Sequence, residues 1–315
     1  MTRAALASLV AVLIASPLAP GPSREYSAPE GEGTAGYPTA VARPDHAPVP
    51  TPPEIVAPGR LSLEGRNETF PAVDPVDGSL WFSIYEGSFE DQTILRALAD
   101  GASWGDAETA PFSGRWGDRA PRFSPDGATL YFTSNRPRDP GGSPGDMNVW
   151  AVERRSGGGW SEPRLLPPPV NSPAQDIHPA ITPRALYVAS DREPGLGRSD
   201  VYRIPRLADG WGDPESLPVN DERSQPDLLV GPDEGWMILA ITDHPDGLGG
   251  DDLFLVRRSD QGWGDAEHLP APVNSEEYEY GPTLSPDGGW IYFTSHRRGS
   301  ADIYRIPLSE VGLRP

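Results

Sequence analysis

The sequence predicts an all-β chain: a five-bladed β-propeller of four-stranded antiparallel blades, closed by an N-terminal strand that completes the last blade. Three observations predict it. The stretch "PRFSPDGATLYFTSNRP" at 121–137 returns as "PTLSPDGGWIYFTSHRR" at 282–298. Three further copies align on one proline, at Pro71, Pro179 and Pro226, so that successive anchors stand 50, 58, 47 and 56 residues apart. Such a period marks supersecondary units that stack or circle an axis. Last, 35 Gly and 39 Pro among 315 residues oppose long helices and suit short strands joined by turns.

The chain opens with "MTRAALASLVAVLIASPLAP". One Arg before a short apolar run, then small residues, predicts a secretory signal peptide over 1–19, cleaved near Ala15 or Ala19. The run is too short to span a bilayer comfortably, so no membrane span is expected after its removal. Residues 20–50 have no apolar period and read as a disordered Pro/Gly/Ala-rich linker. Within it "GEGTAG" matches a dinucleotide fingerprint by letters alone, with neither a strand before it nor a helix after it.

The propeller is expected over 51–310, with a closing strand in 51–66, blades beginning near 67, 119, 177, 225 and 280, and a tail at 311–315. Each unit starts with a short apolar strand ending in a turn such as "SPDG", where Pro presets φ and Gly accepts a positive one. An alternating strand follows ("TLYFTS", "WIYFTS"), then a Gly-rich loop and a third strand ("DVYRI", "DLFLV", "DIYRI"). The fourth piece is a Trp-bearing turn and a polar edge strand, with Trp104, Trp160, Trp211 and Trp263 in one slot. The fifth unit ends soon after "DIYRIP" and lacks that piece, while "TPPEIVAPGRL" at 51–61 has no unit of its own. Joining the two removes an exposed sheet edge. A sixth blade would have to come from the strandless linker, and a two-layer sandwich leaves the period unexplained.

"SPDGATLYFTSNR" and "SPDGGWIYFTSHR", each followed by an Asp-Ile-Tyr-like triplet, and the "W-[GS]-[DE]-x-x-x-L…P-V-N-S" linkers resemble the TolB-like, or WD40-like, β-propeller repeat of secreted and envelope proteins. The resemblance covers 51–310 and does not include the α/β domain that precedes the propeller in TolB. It implies a binding platform; some relatives are fused to peptidases and a few distant ones are enzymes.

Three sets of residues are candidates for a role. Three positions before each anchor proline stand Glu68, Asp118, Asp176, Arg223 and Glu279, expected as a ring near one mouth of the channel. Paired carboxylates at a controlled separation are what glycoside hydrolysis requires, although acids in a solvated ring equally suit a scaffold. Arg136, Arg192 and Arg297 follow the second strand, and Asp200 and Asp302 open the third; Arg192–Asp200 and Arg297–Asp302 are expected as structural pairs. Asn148 replaces the Asp in blade two, and Asp243 in blade four stands where Arg is expected, facing Asp252. Finally "TDHPDGLGGDD" gathers Asp243, Asp246, Asp251 and Asp252 in a Gly-rich loop that would suit Ca²⁺; it has no EF-hand spacing, and a plain solvated loop is the simpler reading. No other cofactor is expected. His46, His178, His244, His268 and His296 form no sequence-local zinc frame, though His178 falls near the channel. "GGSPG" at 141–145 lacks the strand-to-helix context of a nucleophile elbow. Trp81, Trp150, Trp236 and Trp290 are expected between blades.

A net charge of −20 opposes a nucleic-acid surface, which needs clustered cations. With no Cys there are no disulfides. The expectation is an exported, monomeric propeller, secreted or periplasmic, that binds a protein or a cell-envelope glycan at one face. The rivals are a polysaccharide-active hydrolase or lyase with carboxylates in the channel, and a Ca²⁺-stabilised structural module.

Overall fold

A computed structural model describes residues 51–139 and 141–314. The signal peptide and linker expected over 1–50 lie outside the described residues. The chain is a five-bladed β-propeller. It begins with β1 (Glu54–Ile55). Blade one holds β2 (Asn67–Val73), β3 (Leu80–Tyr85), β4 (Thr93–Asp100) and β5 (Ser103–Thr109). Blade two holds β6 (Asp118–Phe123), β7 (Thr129–Ser134), β8 (Asn148–Glu153) and β9 (Arg164–Leu165). In blade three β10 (Asp176–Ile181), β11 (Ala185–Ser190) and β12 (Asp200–Leu207) are followed by two short pieces, β13 (Gly210–Trp211) and β14 (Glu215–Ser216). Blade four holds β15 (Asp227–Val230), β16 (Trp236–Thr242), β17 (Asp251–Ser259) and β18 (Gly262–His268). Blade five consists of β19 (Glu279–Leu284), β20 (Trp290–Ser295), β21 (Asp302–Pro307) and, from the other end of the domain, β1.

That closure rests on a short ladder: Glu54 pairs with Arg305 and Ile55 with Tyr304, and Val56 N–H donates to the Ile303 carbonyl at 2.9 Å. Val56 and Leu61 are buried beside Phe82 and Ile303. The expected tail begins inside a 3-10 turn (Leu308–Val311), and Val311 and Leu313 pack into the core of blades four and five. Among the described residues no helix is long and apolar enough to cross a membrane.

The core is five layers, one between each pair of neighbouring blades, and strand alternation builds them. Leu130 and Phe132 of β7 face Trp81 and Ile94 of blade one, while Tyr131 between them faces Leu186 and Val188 of blade three. Both faces of a middle strand are therefore buried, which is why these strands read as nearly continuous apolar runs. Both SPDG turns close as the sequence implies: Ser124 Oγ donates to Asp126 at 2.6 Å, and Ser285 Oγ to Asp287 at 2.5 Å.

The "PVN" linkers have a specific task. Asn171 accepts from Val149 N–H at 2.8 Å and donates back to the Val149 carbonyl at 2.8 Å. Asn220 does the same to Val201, and Asn274 to Leu253. One side-chain amide thus stands in for a missing strand neighbour on the third strand of blades two, three and four. The turn tryptophans are packed: Arg154, Arg206 and Arg258 lie over Trp160, Trp211 and Trp263 at 4.5, 4.6 and 5.4 Å, and Trp104 donates to the Gly78 carbonyl.

Candidate functional site

The acids three positions before the anchor proline do not ring the mouth. Glu68, Asp118, Asp176 and Glu279 are all buried within their blades. Asp118 accepts from Arg136 at 2.6 Å and from Ser113, and Asp176 from Arg192 at 2.6 Å, Ser190 and Ser172. Glu279 accepts from Ser275 and Ser295, with Arg297 at 3.3 Å. Glu68 pairs instead with Arg66. Burial pushes the Asp118 carboxyl up against the pull of Arg136, and it pushes Glu68 up to about 7 against that of Arg66.

The predicted Arg192–Asp200 and Arg297–Asp302 pairs are thereby corrected. Each arginine reaches back to the first strand rather than across the hairpin, and its other donors cap linker carbonyls: Arg192 on Pro169 and Val170, Arg297 on Pro272 and Val273. Asp200 instead closes its own loop by accepting from Leu196 N–H and Gly197 N–H. Asp302 faces Ser295 across β20 and β21, and burial raises its pKa.

Blade four breaks the pattern. Arg223 pairs with Asp221 on a half-exposed loop and does not reach the channel. The four aspartates of the Gly-rich loop do not converge. Asp252 caps Leu248 N–H and Gly249 N–H, Asp246 lies exposed 3.9 Å from His244, and Asp243 donates its backbone N–H to Gly250 rather than facing Asp252. Among the described residues no group of three or more His, Asp or Glu is placed to hold a metal ion. Asp251 lines the channel mouth.

The chain's channel-facing residues are those immediately flanking the anchor proline. In blades one, two, three and five the residue before it (Phe70, Ala120, His178, Gly281) has φ between 49° and 63°, and the ladder skips a register there. These bulges aim the side chain inward. Phe70 fills the axis, its ring 4.6 Å from that of His178 and 5.3 Å from that of Tyr280. Gly281 makes room for it: a Cβ there would lie 2.8 Å from Phe70 Cδ1. The residue after the proline is charged in two blades, Arg122 and Asp227. Arg122 donates to the carbonyls of Pro71, Pro121 and Pro282, tying three blades at the axis, and burial lowers its pKa to about 10 while Asp227 opposes the shift.

The turn-side end of the channel is a cavity of about 200 Å³ with an apolar, Pro-rich lining. The opposite, bulged mouth opens into a pocket of about 240 Å³. Its wall is aromatic: Tyr85, Phe89, Tyr278, Tyr280 and the ring of His296, which lies 3.2 Å from the Tyr280 hydroxyl. Phe89 stands edge-on to Tyr85 and Tyr280, and Tyr278 stands edge-on to His296. Tyr278 lies against Gly250, where a Cβ would come within 2.3 Å of its ring. The floor holds His178, Asp227 and Asp251. Arg119 reaches over it from blade two, paired with Glu90 at 2.9 Å and lying over Phe89. Burial, with Asp227, Asp243 and Asp252 as like charges, pushes Asp251 up to about 6 against the Thr242 hydroxyl bond. Burial also lowers His296. Of the site residues the sequence singles out, Asp251 reaches this pocket, and it is joined there by His178 and His296, to which the sequence assigns no role. Part of the signal was present in the sequence: His178 and Asp227 flank anchor prolines, at positions where the five copies carry different residues.

No protein-family model matches the chain, and no curated protein does. Its backbone is similar to that of a thermostable family-43 glycoside hydrolase, with a TM-score of 0.50 at 14% identity over 78% of this chain and 91% of that one. It is also similar to TolB from Acinetobacter baumannii (0.45, 15%, 77% of this chain) and to a puromycin-hydrolyzing peptidase of Mycobacterium tuberculosis (0.44, 18%, 81%). The chain spans 54% of that TolB and 37% of that peptidase. At these identities the likeness is one of fold.

Proposed function

We propose that the propeller is a binding module of the cell envelope that takes its ligand at the bulged mouth of the channel. One observation carries the reading: a pocket with aromatic walls and a buried polar floor, built by the residues in which the blades differ. A scaffold needs the repeated residues, whereas a ligand is met by the departures from repetition. Phe89 and Tyr278 stay 37% and 47% exposed at the rim, ready to be covered. The partner is a protein or an envelope glycan, reached through export by the signal read at 1–19. The test is a Phe89→Ala/Tyr278→Ala double variant in a pull-down from envelope extract, scored beside a glycan array. We expect retention to fall by about tenfold or more, with the thermal melt unchanged. Equal retention by the variant would place the ligand elsewhere.

A second reading is favoured by Asp227 and Asp251 together. Two carboxylates in one pocket, one raised to about 6, are what acid–base cleavage of a polysaccharide uses. Release of reducing ends from a polysaccharide panel, abolished by Asp251→Asn, supports it; no release from any member ends it.

A further inference from the structure

The floor of the mouth carries negative charge that its own walls do not answer. Taking the mouth as the binding site proposed above, we infer that the pocket receives a primary ammonium group, presented by a lysine side chain or by an amino sugar. Asp227 is only 2% exposed, and its Oδ1 has no well-aligned donor. The nearest N–H is His178 Nδ1, at 2.6 Å, but that atom also lies 2.7 Å from the Pro226 carbonyl. Arg119 Nε–H points at His178 Nε2 from 3.3 Å, which needs a lone pair there and leaves the ring one proton, on Nδ1. That proton faces two acceptors. Arg122, the cation beneath, gives three of its five N–H groups to carbonyls and forms no ion pair with Asp227, although the two feel each other's charge. Asp251 has the Thr242 hydroxyl at 2.7 Å and three neighbouring carboxylates. Arg119, which reaches over the pocket, is taken up by Glu90, the Phe89 carbonyl and His178 and makes no ion pair with Asp227 or Asp251, and the chain contains no lysine at all, so a cation for these two carboxylates has to come from another molecule.

The walls agree with the floor. Faces of Tyr and Phe attract a cation, and a desolvated carboxylate attracts it more strongly. A primary ammonium brings three N–H donors, enough for both aspartates with one to spare, whereas a quaternary ammonium brings none. At about 240 Å³ the cavity is smaller than the roughly 300–1,000 Å³ that encloses a drug-sized ligand. It fits one head group and not a run of sugars.

The test is calorimetric titration of the full chain with Nα-acetyl-lysine methylamide and with glucosamine, each beside its N-acetylated, uncharged counterpart. We expect at least one amine to saturate the site, its uncharged counterpart to bind about tenfold more weakly or worse, and the better amine to name the source. Asp251→Asn should cost a similar factor, as should Tyr278→Ala at the exposed rim, which keeps the fold intact if Asp227→Asn does not. Equal binding of charged and acetylated probes, or no binding of either amine, overturns the inference. If the amines fail while Phe89→Ala/Tyr278→Ala still abolishes envelope retention, the mouth remains a binding site for another chemistry. If that double variant retains its partner, both readings fall.

Discussion

Asp118, Asp176 and Glu279 occupy equivalent positions in three blades, and each is buried against an arginine and one or more serine hydroxyls. Removing one partner of such a pair strands the other without water. Arg192→Ala is therefore expected to cost about 3–5 kcal/mol, read by urea denaturation, because Asp176 stays behind with its charge. Arg223→Ala removes a half-exposed pair and should cost less than about 1 kcal/mol. Equal costs would mean that burial does not separate the two. Glu68 tests the same physics through pH. Its folded pKa, about 7, lies above the ordinary carboxyl value, so the folded state holds a proton that the unfolded state gives up. Stability from this group is full at pH below about 4.3 and is lost as pH rises through 7. Glu68→Gln should flatten that part of the stability–pH profile; an unchanged slope between about pH 4.3 and 7 would count against it.

At the scale of the element, the closing strand does most with least sequence. β1 is two residues long, yet it covers the edge of β21, and the segment that follows buries Val56 and Leu61. Deleting 51–61 should lower the melting temperature sharply and expose β21 as a pairing edge, visible as oligomers in size-exclusion chromatography. A monomer that melts normally would refute the closure. The turns, the middle strands and the position of β1 were legible because each is written in local chemistry: Pro and Gly at turn positions, alternation along strands, an orphan segment matching an orphan gap. The arginine pairings were not. Sequence proximity suggested Arg192 with Asp200, but the hairpin loop supplies Asp200 with backbone donors, and the bulged first strand brings Asp176 within reach.

On the scale of the whole molecule, the chain carries a net charge of −20. Self-repulsion of this kind acts over the screening length, about 30 Å at 0.01 M salt and about 8 Å at 0.15 M. Raising salt across that interval should raise the calorimetric melting temperature, since the buried carboxylate–arginine pairs are little screened. A fall would mean that surface ion pairs outweigh the repulsion. The same imbalance bears on the mouth, where the acidic, aromatic pocket favours a cationic group over an anionic one.

What the sequence determined alone was the repeat and hence the ring, because hydrophobic alternation and turn chemistry are local and each blade restates them. Which of its many acids matter was decided only by tertiary structure. Glu68, Asp118, Asp176 and Glu279 look like a functional ring along the chain and are consumed inside the blades, while Asp227, unremarkable along the chain, and Asp251, which reads as part of a Ca²⁺ loop, converge with His178, Tyr278 and Tyr280 at the mouth. The reason is geometric: in blade three a positive-φ bulge beside the proline turns His178 from blade to channel, and its meeting with Asp227 and Asp251 of blade four depends on how five separate segments are placed around the axis.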